Sequence, residues 1–153
     1  MLSRPTTEQI LLDCCRELMT NVLPSLTDAT AQVSVIMVET VLRNTAVRAA
    51  HEVAWMRDET ADIEAYAQAV AAQAPGTASL EAAMTALASA PRDSLHLDDV
   101  VETYCRAGNA LSAALETAVA SGLTPVIQRG EEILDVRSGH ETDVMAGWSP
   151  TGR

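Results

Sequence analysis

Apolar and polar positions recur with helical period along most of the chain, and most extensively from Thr30 to Glu59, TAQVSVIMVETVLRNTAVRAAHEVAWMRDE. Successive residues on a helix turn by about 100°. On that wheel Val35, Val38, Leu42, Ala46, Ala49, Val53 and Met56 form one apolar strip. Val33, Ile36, Met37, Val47, Ala54 and Trp55 form a second, roughly opposite. Glu39, Arg43 and Arg57 line one edge between the strips, and Arg48, Glu52 and Glu59 line the other. Glu39–Arg43 is an i,i+4 pair in the favourable order, worth about 0.2–0.5 kcal/mol; Arg48–Glu52 has the same spacing in the less favourable order.

A helix with one apolar strip lies on a core, whereas a helix with two is sandwiched. Either its own chain covers both strips, or one strip faces a second subunit or a different protein. The second strip is the candidate contact surface: Val33, Met37, Asn44, Val47, His51 and Trp55. Buried Asn and His must find hydrogen-bond partners, and Trp is favoured at interface centres.

The remaining pattern predicts helices packed on this one. Thr6 with Gln9 makes a capping box ahead of Ile10, Leu11, Cys14, Leu18, Met19 and Val22, with Pro24 ending the first helix. Asp28 or Thr27 caps the long helix, and the short break makes the two antiparallel neighbours. Apolar spacing continues through Ile63, Tyr66, Ala67 and Val70 to Pro75-Gly76, leaving open a break near residues 58–60. Thr77 or Ser79 starts a short helix closed by Pro91. A further helix carries Leu97, Val101, Tyr104, Gly108, Leu111, Leu115 and Ala118, with Asp98, Asp99 and Glu102 favoured in its first turns and Gly122 at its end. Gly108 with Ser112 marks a thin spot for close helix approach. Residues 124–139 form one more possible helix, weakened by Gly130, and the last stretch reads as a mobile tail unless Trp148 or Val144 docks on a neighbour. The expected fold is all-α: an up-and-down bundle of four to five helices with one long central helix. Residues 1–122 form the bundle, and residues 123–153 a C-terminal helix and tail packing on it or on a partner.

Composition sharpens this picture. Apolar residues make up 48% of 153 positions but aromatics only 3%, with no Phe, so the core must be aliphatic. The net charge is −11 and no Lys occurs. That acidity argues against nucleic acid and anionic membrane, both of which need neutralising cations. Three cysteines, Cys14, Cys15 and Cys105, and no apolar leader point to a reduced, cytoplasmic setting. No run approaches the roughly 20 apolar residues of a membrane span.

Chemistry-bearing motifs are missing. No Glu has a His three residues on, and His51-Glu52 is followed by Trp55 where a zinc-protease helix needs its second His. There is no CxxC, phosphate loop, GxGxxG or GxSxG, so no metal, cofactor or catalytic residue is assigned. Cys14 and Cys105 read as small packed residues. Asp98-Asp99 and Glu131-Glu132 read as solvated helix starts. The one polar constellation is Arg43, Asn44, Arg48, His51 and Glu52. It serves either as charged edges fixing interface register or, with Arg43, Arg48, His51 and Tyr104, as an anion-binding pocket.

The opening RPTTEQILLDCCRELMTNVLPSLTD and the helix VLRNTAVRAAHEVAWMRDE resemble a group of short uncharacterised actinobacterial helical proteins. These are associated with genes for aminoglycoside-phosphotransferase-like kinases and acyl-CoA dehydrogenases. The resemblance covers about the first third of the chain and brings no catalytic residues. It implies an accessory role beside such an enzyme. The expectation is therefore a non-catalytic helical protein that forms a homodimer or binds a partner enzyme through its central helix; the alternative is a small enzyme or ligand-binding bundle.

Overall fold

The computed structural model describes residues 4–145, so Trp148 lies outside the described residues. The fold is all-α, with five helices and no strand among the described residues. α1 spans Thr7–Glu17, α2 Ala29–Gln73, α3 Ala78–Ala88, α4 Leu97–Ala120 and α5 Thr124–Met145. The described residues divide into two compact units, 4–52 with 140–145, and Val53–Gly139. Residue 122, where the sequence placed a boundary, lies inside the second unit. α2 runs its 45 residues without interruption, which closes the question of a break at residues 58–60. Thr60 there turns its hydroxyl onto the Met56 carbonyl at 2.6 Å, a bond a continuing helix accommodates.

In the first unit, local signals set the helix starts. The Gln9 amide donates to Thr6 Oγ1 at 3.2 Å, and the Thr6 amide to Gln9 Oε1 at 3.0 Å, closing the capping box. Asp28 starts α2 by accepting from the Ala31 amide at 2.7 Å. Pro24 does not end α1 directly. The chain widens into a π-helical turn over Leu18–Val22, continues through Leu23–Ser25 and leaves helical geometry at Leu26. Pro24 has no N–H to give to the carbonyl one turn back, and the wide turn re-pairs the backbone around that gap, with the Leu23 amide reaching the Leu18 carbonyl.

The two helices fold back on each other about Thr27. Cys15, twelve residues before it, donates its thiol to the Glu39 carbonyl, twelve residues after it, at 3.5 Å. The face of α1 that turns inward passes through Leu11, Cys15, Leu18 and Val22, at spacings of four and three. Cys15 is therefore buried and Cys14, rotated about 100° from it, is exposed, which corrects the expectation that Cys14 packs inward.

In the second unit, Ile63, Tyr66, Ala67 and Val70 of α2 pack with Leu80 and Leu87 of α3, Ala107, Ala110, Leu111, Ala114 and Ala118 of α4, and Val126 and Ile133 of α5. The buried stripe of α4 runs through Val100, Thr103, Ala107, Ala110, Ala114 and Thr117. Leu97 and Val101, placed in the core by spacing, are 45% and 40% exposed. Leu111 and Ala118 of the same spacing pattern are buried, and small residues occupy the rest of the inner line because they let the helix axes approach. The tight approach is at Gly130 rather than Gly108. A Cβ on Gly130 would lie 2.4 Å from Leu115 Cδ2 and 2.7 Å from the Tyr66 hydroxyl, whereas one on Gly108 would meet nothing. Gly130 thus does not interrupt α5, which extends to Met145. Gly122, at φ +67, closes α4 with the Leu123 amide bonded to the Ala118 carbonyl and its own to Val119.

Candidate functional site

The site is built from the N-terminal half of α2. Its inner line carries Ala46 and Glu39, both buried, with Val35 and Leu42 half-buried beside them. Glu39 keeps its charge satisfied by pairing with the Arg43 guanidinium one turn on. Burial pushes the Cys15 thiol up from its ordinary value; the nearby Glu39 charge adds to the shift and Arg43 opposes it.

Among the described residues, nothing covers the opposite side of the same helix. Val33 is 55% exposed, Met37 61% and Val41 63%, a line at i, i+4 and i+8, flanked by Ile36 and Val38 at 41% and 51%. These five side chains expose roughly 300 Å² of apolar surface, the size of the largest patch on an ordinary monomer. No charged side chain interrupts it: from Ala29 to Leu42 the only ionisable residue is Glu39, which points inward.

Three polar residues on this face are internally satisfied. Ser34 donates to the Thr30 carbonyl at 3.0 Å, Thr40 to Ile36 at 2.9 Å and Thr45 to Val41 at 2.7 Å. Covering the face therefore leaves none of these three hydroxyl donors without a partner, so the usual cost of burying polar groups is largely avoided.

The six candidate contact residues fall into two groups. Val33 and Met37 lie on the uncovered face; Asn44, Val47 and Trp55 are half-buried, and His51 is exposed. Spacing alone missed Val41, which belongs to neither apolar strip. The absence of exposed charge from Ala29 to Leu42 marks it, and that signal is present in the sequence.

The candidate anion-binding residues are engaged elsewhere. Arg43 holds Glu39, and Arg48 Nε lies 2.9 Å from Glu52 Oε2 along the same helix. Tyr104 belongs to the second unit, where its hydroxyl donates to the buried Glu59 at 2.5 Å and accepts from Arg137 Nε at 2.9 Å. Arg137 also approaches Glu59 at 3.3 Å and stacks 5.1 Å above the Tyr104 ring. Burial, and then the bond to Glu59, push the Tyr104 hydroxyl up to about 12, so it is a fixed donor and not a proton shuttle near neutrality. Glu59, read from the sequence as an edge charge, is 6% exposed.

A shallow cleft of the second unit is lined by Met56, Arg57, Thr60, Glu64, Arg92 and Thr103. Arg92 bonds Glu64 at 2.6 Å, and Arg57 reaches the Ser94 carbonyl at 3.5 Å. Cys105, expected to be packed, is exposed. Among the described residues no group of three or more His, Cys, Asp or Glu is placed to hold a metal, and no helix is long and apolar enough to cross a membrane. No protein-family model matches the chain, and no curated protein or solved structure matches it either.

Proposed function

We propose that this chain is a non-catalytic helical accessory protein that works by association, and that the α2 face at Val33, Met37 and Val41 is its contact surface. One observation carries the reading: three aliphatic side chains in register on one helix, each more than half exposed, with no charge among them. Apolar surface of this kind gains about 25 cal/mol per Å² when removed from water, so roughly 300 Å² represents several kcal/mol of driving force. Contiguous patches of this size commonly mark binding surfaces. The internally bonded hydroxyls of Ser34, Thr40 and Thr45 support the same conclusion.

The test is a footprint. Val41→Cys, placed in a chain whose exposed Cys14 and Cys105 are replaced by Ser, gives a reporter on the face itself. Maleimide labelling of residue 41 should be at least tenfold slower in host cells than in dilute purified protein. Equal rates in the two settings would overturn the reading.

A further inference from the structure

Resting on that association reading, we infer that the occupant of the α2 face is a second copy of this chain, lying antiparallel across a two-fold axis at Met37. The first support is electrostatic. The chain carries 21 acidic residues and a net charge of −11, so two copies repel one another over most approaches. Between Asp28 and Glu52 the single acid is Glu39, buried at 8% exposure and paired with Arg43. Arg43 pairs with that one acid and Arg48 with Glu52 at the segment's end, so the stretch is close to neutral. An acidic chain thus meets on this face the part of itself that repels it least, without needing a basic partner.

The second support is the sequence of the face about its centre. In an isologous antiparallel contact, position 37+n lies opposite position 37−n of the other copy. Counting outward from Met37, Ile36 pairs with Val38, Ser34 with Thr40, Val33 with Val41 and Thr30 with Asn44. Each pair joins residues of one chemical kind: aliphatic with aliphatic, polar with polar. Val33 and Val41, which such a contact sets face to face, are among the most exposed aliphatic residues of the helix, at 55% and 63%. The face is therefore self-complementary in polarity and free of opposing like charges.

The area sets the strength. A stable interface takes about 800 Å² from each partner, and the apolar centre supplies roughly 300 Å², with a neutral rim of Thr30, Ser34, Asn44 and Thr45 around it. The dimer is accordingly reversible, with a dissociation constant on the order of micromolar.

Light scattering and disulfide trapping on the full chain test this together, with Cys14 and Cys105 replaced by Ser and the buried Cys15 kept. The parent should pass from monomer to dimer across the micromolar range, and Val41→Glu should raise the dissociation constant at least tenfold at unchanged helicity. Under mild oxidation Met37→Cys should give a disulfide-linked dimer. Val33→Cys and Val41→Cys should each link poorly alone, because residue 33 and its copy lie about 12 Å apart along the axis, but should link to one another when mixed. Efficient self-linking at residues 33 and 41 would mean a parallel pairing and would overturn the two-fold at Met37. A chain that stays monomeric at hundreds of micromolar would overturn the second copy as occupant. The labelling footprint in cells is a separate readout, and protection there beside a monomeric purified chain would leave the association reading standing with a different partner.

Discussion

Tyr104 donates its hydroxyl to Glu59 at 2.5 Å across 45 residues of sequence, and Arg137 closes the group from α5. A carboxylate only 6% exposed takes a hydroxyl donor from α4 and an ion pair from α5, so the cluster ties α2, α4 and α5 together inside the second unit. Removing one member leaves the others poorly compensated. Tyr104→Phe should destabilise by about 1–2 kcal/mol. Arg137→Met should cost about 2–3 kcal/mol, below the range for fully buried pairs because Arg137 keeps some exposure. Urea unfolding of the single and double variants measures both, and strictly additive effects would count against a cluster acting as one unit.

The same group fixes an alkaline limit. The Tyr104 hydroxyl titrates at about 12 when folded and near 10 when unfolded, so between those values the folded chain holds a proton that the unfolded chain has released. The associated stability is complete below about pH 10 and is lost as pH rises toward 12. With Tyr66→Phe, Tyr104 is the sole tyrosine, and its tyrosinate absorbance should appear near pH 12 in buffer and near pH 10 in urea. A native midpoint near 10 would contradict the buried bond.

At Gly130 the packing predicts an interaction between substitutions. Gly130→Ala improves helix propensity by about 1 kcal/mol but drives a methyl group against Leu115 and Tyr66, for a net loss of about 1–2 kcal/mol. The Tyr66 hydroxyl is buried with no hydrogen-bond partner among the described residues, so Tyr66→Phe should be neutral or stabilising by up to about 1 kcal/mol. It should also relieve part of the Gly130→Ala penalty. Thermal melts of the three variants check the coupling. Gly108→Ala, with open space around it, should instead gain about 0.5–1 kcal/mol.

The cysteines should separate by accessibility. Cys14 and Cys105 are exposed and Cys15 is buried with its thiol pushed up, so a thiol reagent at neutral pH should modify two groups quickly and the third only on unfolding. Rapid reaction of all three would mean that α1 does not dock through Cys15.

Signals that act within one turn were readable in the residues themselves. Thr6 with Gln9, Asp28 ahead of α2, and Gly122 behind α4 each satisfy backbone groups a few positions away, so their identities announce their roles. Roles set by distant neighbours were not readable. Glu59 looks like one more edge charge until Tyr104 and Arg137 arrive from elsewhere in the chain. Gly130 looks like a weak point in a helix until Tyr66 and Leu115 are seen to need the space. On α4 Leu111 and Ala118 were read from spacing, but Ala107, Ala110 and Ala114 were passed over because alanines carry little weight in a hydrophobic pattern, although they dominate a close contact. On the exposed face of α2, periodicity picked out Val33 and Met37 but not Val41, whose exposure follows better from the lack of ionised groups around it.

Ser34, Thr40 and Thr45 spend their hydroxyls on their own backbone, and a helix that does so gives up the directional contacts by which a polar surface tells one neighbour from another. What remains to discriminate is contour. Subunits meeting there would exchange readily, and a change of one methyl group at residue 33 or 41 would retune their grip.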